Sequence, residues 1–157
     1  GPKRPGQHDR LRAPARSPPV PCQPGAISCQ FVRTGTLVFL TGQLSQWNGE
    51  RRCAGKLGRE FGVPEEQQAA RLCALNLIAH LKNAVDGDLD RVTRCLRLAG
   101  YVNSTPDFLG QSQVINGASD LFLAVFGEAG RHTRMAVGGS ALPYDVAVEV
   151  EAGFEVD

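Results

Sequence analysis

Arg134 stands between Thr133 and Met135, and Glu149 and Glu151 follow at alternate positions of a later segment. A guanidinium is a planar fork that grips a carboxylate through two parallel hydrogen bonds, and a glutamate can orient a water molecule and accept its proton. On neighbouring strands, these groups would bind a small carboxylate ligand and prepare water for attack beside it. The same residues also admit a plainer reading, in which Arg134 pairs with the glutamate ladder on the outer face of a sheet. Asn116, near the start of a helical segment, reads by itself as a cap or turn residue rather than a ligand contact.

Spacing excludes three other chemistries. Gly49 to Lys56 resembles a phosphate loop, but its glycines are one residue too far apart and Leu57 replaces the hydroxyl that binds magnesium. His8, His80 and His132 show no metal-ligand spacing with one another or with cysteine, so no metal is expected. No GxSxG elbow presents a serine nucleophile. The five cysteines are odd in number and lack a CxxC pair, which predicts a reduced, intracellular protein.

The elements that position these groups follow from periodicity. Ala26 to Arg33 and Thr36 to Thr41 read as a hairpin turning at Thr34-Gly35, and Ser45 to Gly62 as a polar loop. Pro64, with Glu65 and Glu66 behind it, opens a helix to about Val85 whose buried stripe is Ala70, Cys73, Leu77, Leu81 and Ala84. Arg91 to Val102 is a strand, Ser112 to Phe126 a second helix and His132 to Val137 a short strand. The last strand, Val146 to Val156, alternates apolar residues with Glu149, Glu151 and Glu155. The order β-β-α-β-α-β-β predicts an α+β domain over residues 26–157, with both helices on one face of a mixed sheet.

With 157 residues, 42% apolar and 21% charged, the chain has the size and composition of one packed domain. Residues 1–25 are set apart by their prolines and read as a flexible basic arm, partly the product of processing or a tag given the start Gly1-Pro2. The first twenty residues carry five basic side chains and one acid; the rest carry 12 basic and 15 acidic, a balance near −3. That disfavours nucleic acid as the main partner. The absence of a long apolar run disfavours a membrane span, and the expected location is cytoplasmic, with organelle targeting by the arm an open alternative.

A wider pattern carries a resemblance. The ordered blocks Arg33-Thr34-Gly35, Leu40-Thr41-Gly42-Gln43, Gly55-Lys56-Leu57-Gly58, Ala69-Ala70-Arg71, Ala74-Leu75-Asn76, Leu89-Asp90-Arg91-Val92, Val102-Asn103-Ser104-Thr105-Pro106-Asp107-Phe108, Val114-Ile115-Asn116-Gly117-Ala118-Ser119-Asp120-Leu121, Phe126-Gly127-Glu128, Arg134-Met135-Ala136-Val137-Gly138, Ala141-Leu142-Pro143 and Val148-Glu149-Val150-Glu151 resemble the RidA/YjgF family, known also as endoribonuclease L-PSP-like, over about residues 26–156. The resemblance implies a chorismate-mutase-like fold, a homotrimer with ligand clefts between subunits, no cofactor, and hydrolysis of reactive 2-imino acids to 2-keto acids and ammonia. It places the carboxylate-binding arginine at Arg134, the water-positioning glutamate at Glu149, and further substrate contacts at Gly42 and Asn116. Ser28 stands where deaminating members carry a pocket tyrosine and Ala136 where they carry a cysteine, so these substrate-binding positions are altered. The alternatives are a non-catalytic trimeric binder of small carboxylate metabolites, a ribonuclease or translation inhibitor, and, with only Arg134 to offer a dicarboxylate, a chorismate mutase.

Overall fold

The computed structural model describes residues 26–59 and 61–157; the arm expected over residues 1–25 lies outside them. Seven strands and two α-helices follow one another as β1 (Phe31–Thr34), β2 (Leu37–Leu44), β3 (Gln46–Trp47), β4 (Glu50–Arg51), α1 (Val63–Ala84), β5 (Val92–Asn103), α2 (Gln111–Phe126), β6 (Thr133–Gly139) and β7 (Val148–Val156). The main sheet has the spatial order β1-β2-β7-β5-β6. Only β5 and β6 run parallel; the other neighbours are antiparallel. The sheet is therefore mixed and both helices cover one face, the α+β arrangement expected from the sequence.

The helices form where the apolar stripe repeats. Ala70, Cys73, Leu77, Leu81 and Ala84 of α1 are all buried, as are Val114, Ile115, Ala118, Leu121 and Phe122 of α2. Asp86 and Gly87 terminate α1 with left-handed backbone angles of 54° and 88°, and the Gly87 N–H donates to the Lys82 carbonyl at 2.8 Å. The two helices touch backbone to backbone at Gly117, where a Cβ would stand 2.0 Å from the Gln67 carbonyl oxygen. Beneath them β7 buries Val148, Val150, Ala152, Phe154 and Val156 and turns its odd-numbered residues to the uncovered face.

Three features depart from expectation. The loop read over Ser45 to Gly62 contains the β3–β4 hairpin, turned by Asn48 and Gly49 at φ 49° and 78°; such an Asn-Gly pair is a strong hairpin signal. β2 runs on to Leu44 through an irregularity between Leu40 and Gln43. Cys29 is disulfide-bonded, unlike the fully reduced chain expected; it lies half-buried ahead of β1, whereas Cys73 and Cys95 are free thiols in the core and Cys53 is a half-buried free thiol. Among the described residues, no helix is long and apolar enough to cross a membrane.

Candidate active site

β6 and β7 are not neighbours. β5 lies between them, pairing Leu98 with Arg134 on one side and Tyr101 with Glu149 on the other. Leu98 is buried on the helix-covered face, and paired residues on adjacent strands share a face. Arg134 therefore emerges on the helix side of the edge strand, and Glu149 on the open side of the central strand. Neither adjacent-strand reading survives this topology, the catalytic pair or the surface ion pair. Glu151 instead meets Arg97 of β5 at 3.5 Å, and Glu155 accepts from the Thr93 hydroxyl at 3.1 Å.

The arginine half is built by α2. Arg134 Nη1 donates to Asn116 Oδ1 at 2.6 Å and to Ser119 Oγ at 3.3 Å. Asn116 and Ser119 are one helical turn apart and face β6 together. Asn116 is thus neither a cap nor a turn residue; it is a bracket for the guanidinium. Arg134 is exposed, and no carboxylate of the described residues lies within ion-pair distance of it. Its remaining N–H groups are available to an anionic ligand. Ala136 shares its face, half-buried opposite Gly100, where a Cβ would strike Ile115 Cδ1 at 2.4 Å.

The glutamate half is built by β2 and β7. Leu44 pairs with Glu149, and the preceding irregularity turns Gly42 toward the same carboxylate. A Cβ on Gly42 would lie 2.6 Å from Glu149 Oε1, so any larger residue there would displace the end of the Glu149 side chain. Partial burial, with the like charge of Glu151 two residues on, raises the Glu149 carboxyl above its ordinary range. A carboxylate of raised basicity is suited to hold a water and take its proton. Ser28 is exposed on the segment before β1, away from the bonds that hold Arg134.

The structure brings Arg134 and Asn116 together, and Gly42 and Glu149 together, but joins the two pairs through no contact within one chain. Two participants escaped the sequence reading. Ser119 bonds both Arg134 and His132, whose Nε2 lies 2.9 Å from Ser119 Oγ. Their signal was positional: Ser119 follows Asn116 by one turn, and His132 precedes Arg134 by two, which places it on the same side of the strand. Among the described residues no group of three or more histidine, cysteine or acidic side chains is disposed to hold a metal ion.

The family model described as "YjgF/chorismate mutase-like, putative endoribonuclease" matches residues 18–152. Protein TCP17 of Trypanosoma cruzi is 44% identical over 140 residues, spanning 88% of this chain and 87% of that protein. The crystal structure of Atu1372 from Agrobacterium tumefaciens, a protein of unknown function, superposes with a TM-score of 0.83 at 43% identity, covering 84% of this chain and 83% of that one. An endoribonuclease-like protein of Shewanella oneidensis superposes with a TM-score of 0.79 at 34% identity, covering 82% and 85%.

Proposed function

Because the chain belongs to the RidA/YjgF family, whose fold suits imine and enamine deamination in general, we propose that it hydrolyses reactive 2-imino acids to 2-keto acids and ammonia. The observation that carries this reading is the bracketed guanidinium of Arg134, held by Asn116 and Ser119 with no carboxylate of the described residues to neutralise it. It binds the substrate carboxylate and so fixes the neighbouring imine carbon. Glu149 takes a proton from water as the water oxygen bonds to that carbon and the imine electron pair moves to nitrogen. The protonated Glu149 returns the proton to nitrogen, which gives a carbinolamine; Glu149 then takes the carbinolamine hydroxyl proton and passes it to the same nitrogen, so that the C–N bond breaks as the carbonyl forms and ammonia leaves.

Arg134 and Glu149 occupy opposite sheet faces, so the site is completed by two chains, one supplying Arg134 and Asn116 and the other Gly42 and Glu149. A homotrimer with three equivalent clefts meets this requirement. The open sheet face supports it by leaving Val32, Phe39, Met135 and Val137 between 37% and 56% exposed, an apolar surface that association would cover. A second reading, a carboxylate-binding trimer without turnover, is favoured by Ser28 and Ala136, which stand where deaminating relatives carry tyrosine and cysteine.

The test follows loss of 2-iminobutanoate generated by an amino-acid oxidase with catalase. Acceleration by the wild type that disappears in Arg134→Ala supports deamination. No acceleration with several imino acids, combined with Arg134-dependent binding of 2-ketobutyrate, replaces it with the binding reading.

A further inference from the structure

Behind Arg134 runs a chain of hydrogen bonds in which each proton has an assigned direction. His132 Nδ1 lies 2.6 Å from the Gly130 carbonyl oxygen. A carbonyl only accepts, so Nδ1 carries the ring proton and Nε2 of the neutral ring is an acceptor. Nε2 is 2.9 Å from Ser119 Oγ, and the serine hydroxyl therefore donates its single proton to the ring. Its oxygen lone pairs are then directed to the Arg134 Nη1 group at 3.3 Å. The same Nη1 gives its other proton to Asn116 Oδ1. The parts are well seated: Ser119 is 7% exposed, and the His132 ring stands edge-to-face with the fully buried Phe122 at 6.0 Å and 82°.

We infer that Ser119 and His132 are positioning residues for Arg134, and that they select which edge of its guanidinium receives the substrate. With both Nη1 protons committed, the parallel pair left for a carboxylate is Nη2 with Nε, so the substrate binds side-on. Without the serine link, Nη1 is tethered only by Asn116, and the fork regains the freedom to rotate and to engage end-on. His132 acts one step further back: as an acceptor it holds the hydroxyl proton away from Arg134. This rests on the proposed carboxylate-binding role of Arg134, and it adds two residues and a binding orientation to it.

The experiment uses the full chain and four variants: Ser119→Ala, Ser119→Thr, His132→Phe and Arg134→Ala. His132→Phe keeps an aromatic ring against Phe122 and removes both nitrogens, so a packing role alone is preserved. Expected are KM for 2-iminobutanoate and Kd for 2-ketobutyrate raised about tenfold in Ser119→Ala and His132→Phe, the scale of one hydrogen bond to a charged group. In these two variants kcat stays within about twofold of wild type, and Ser119→Thr, which restores the hydroxyl, recovers most of the loss. The side-chain ¹⁵N spectrum of the wild type should show His132 in the Nδ1-protonated form, a readout that needs no variant to fold. The Nε2-protonated form, or unchanged KM and Kd in both variants while Arg134→Ala loses them, overturns the inference and leaves the deaminase reading standing. Ser119-dependent ketoacid binding without turnover of any imino acid upholds the inference and overturns deamination. A wild type that neither turns over nor binds overturns both.

Discussion

Arg134 and Glu149 are anchored in opposite ways. The guanidinium is exposed on an edge strand and is held by polar contacts from Asn116 and Ser119. The carboxylate rises from the central strand β7 and is placed by space, since Gly42 leaves the room that its Oε1 occupies. Hydrogen bonds set a direction, which recognition of a planar anion requires; a steric cradle sets a position while leaving the carboxylate oxygens open to water. On the proposed function, the first half recognises the substrate and the second reacts with it.

The contrast breaks first under substitution of its two ends. Arg134→Ala is expected to lower kcat/KM by about 10³-fold, chiefly through KM, as loss of a bidentate charged contact does. Glu149→Gln should lower kcat by about 10²-fold with KM nearly unchanged, the usual scale of a lost general base. Because the Glu149 carboxyl is raised and the proposed step uses it deprotonated, wild-type kcat should fall as pH drops through a value above the ordinary 4.5, and the glutamine variant should lack that limb. Similar changes in KM for both variants would erase the distinction.

Mixing the two inactive variants sharpens it further. If each site takes Arg134 from one chain and Glu149 from its neighbour, randomly co-assembled trimers regain both native residues in about a quarter of their sites. Recovery near that fraction after co-refolding locates the site between chains. Zero recovery places both residues in one chain and contradicts the opposite-face geometry.

A smaller effect separates Glu149 from the other raised carboxyl. Glu66, in the first turns of α1, is fully buried with no hydrogen-bond partner for either oxygen among the described residues, and burial, with Glu65 beside it, pushes it up to about 7 from 4.5. A carboxyl raised in the fold favours the native state below its unfolded value, and that contribution is lost as pH rises through about 7. Glu66→Gln is therefore expected to stabilise the protein by on the order of 2 kcal/mol at pH 8 and to change little at pH 4. Denaturant unfolding at the two pH values reads this; a variant equally altered at both would assign Glu66 a packing role. The smallest expected change is Gly42→Ala, about tenfold in kcat as the new methyl displaces Glu149, with KM preserved.

Much of this architecture was legible because it repeats. The α1 stripe and the β7 alternation are periodic over many residues, and burial follows them residue by residue. The strand neighbours were not legible: β6 and β7 follow each other in sequence, yet β5 separates them, because spatial order in a sheet is set by long-range pairing rather than by succession. That one fact moved Arg134 and Glu149 to different faces. Family likeness supplied their candidate roles, whereas Ser119 and His132 act only through contacts formed when α2 packs on β6, and no local pattern announces such contacts.

The core thiols have a consequence of another kind. Cys73 and Cys95 are fully buried, and burial drives both far from the thiolate form, Cys95 to about 12. Alkylating reagents consume thiolate at the surface, so half-buried Cys53 is modified through small fluctuations while the other two wait for the fold to open. One sits on a helix and the other on a strand beneath it, so their joint modification reports opening of both layers. The protein thus carries its own clock: the interval between labelling of Cys53 and labelling of Cys73 and Cys95 measures the lifetime of its native state, with no thiol engineered into it.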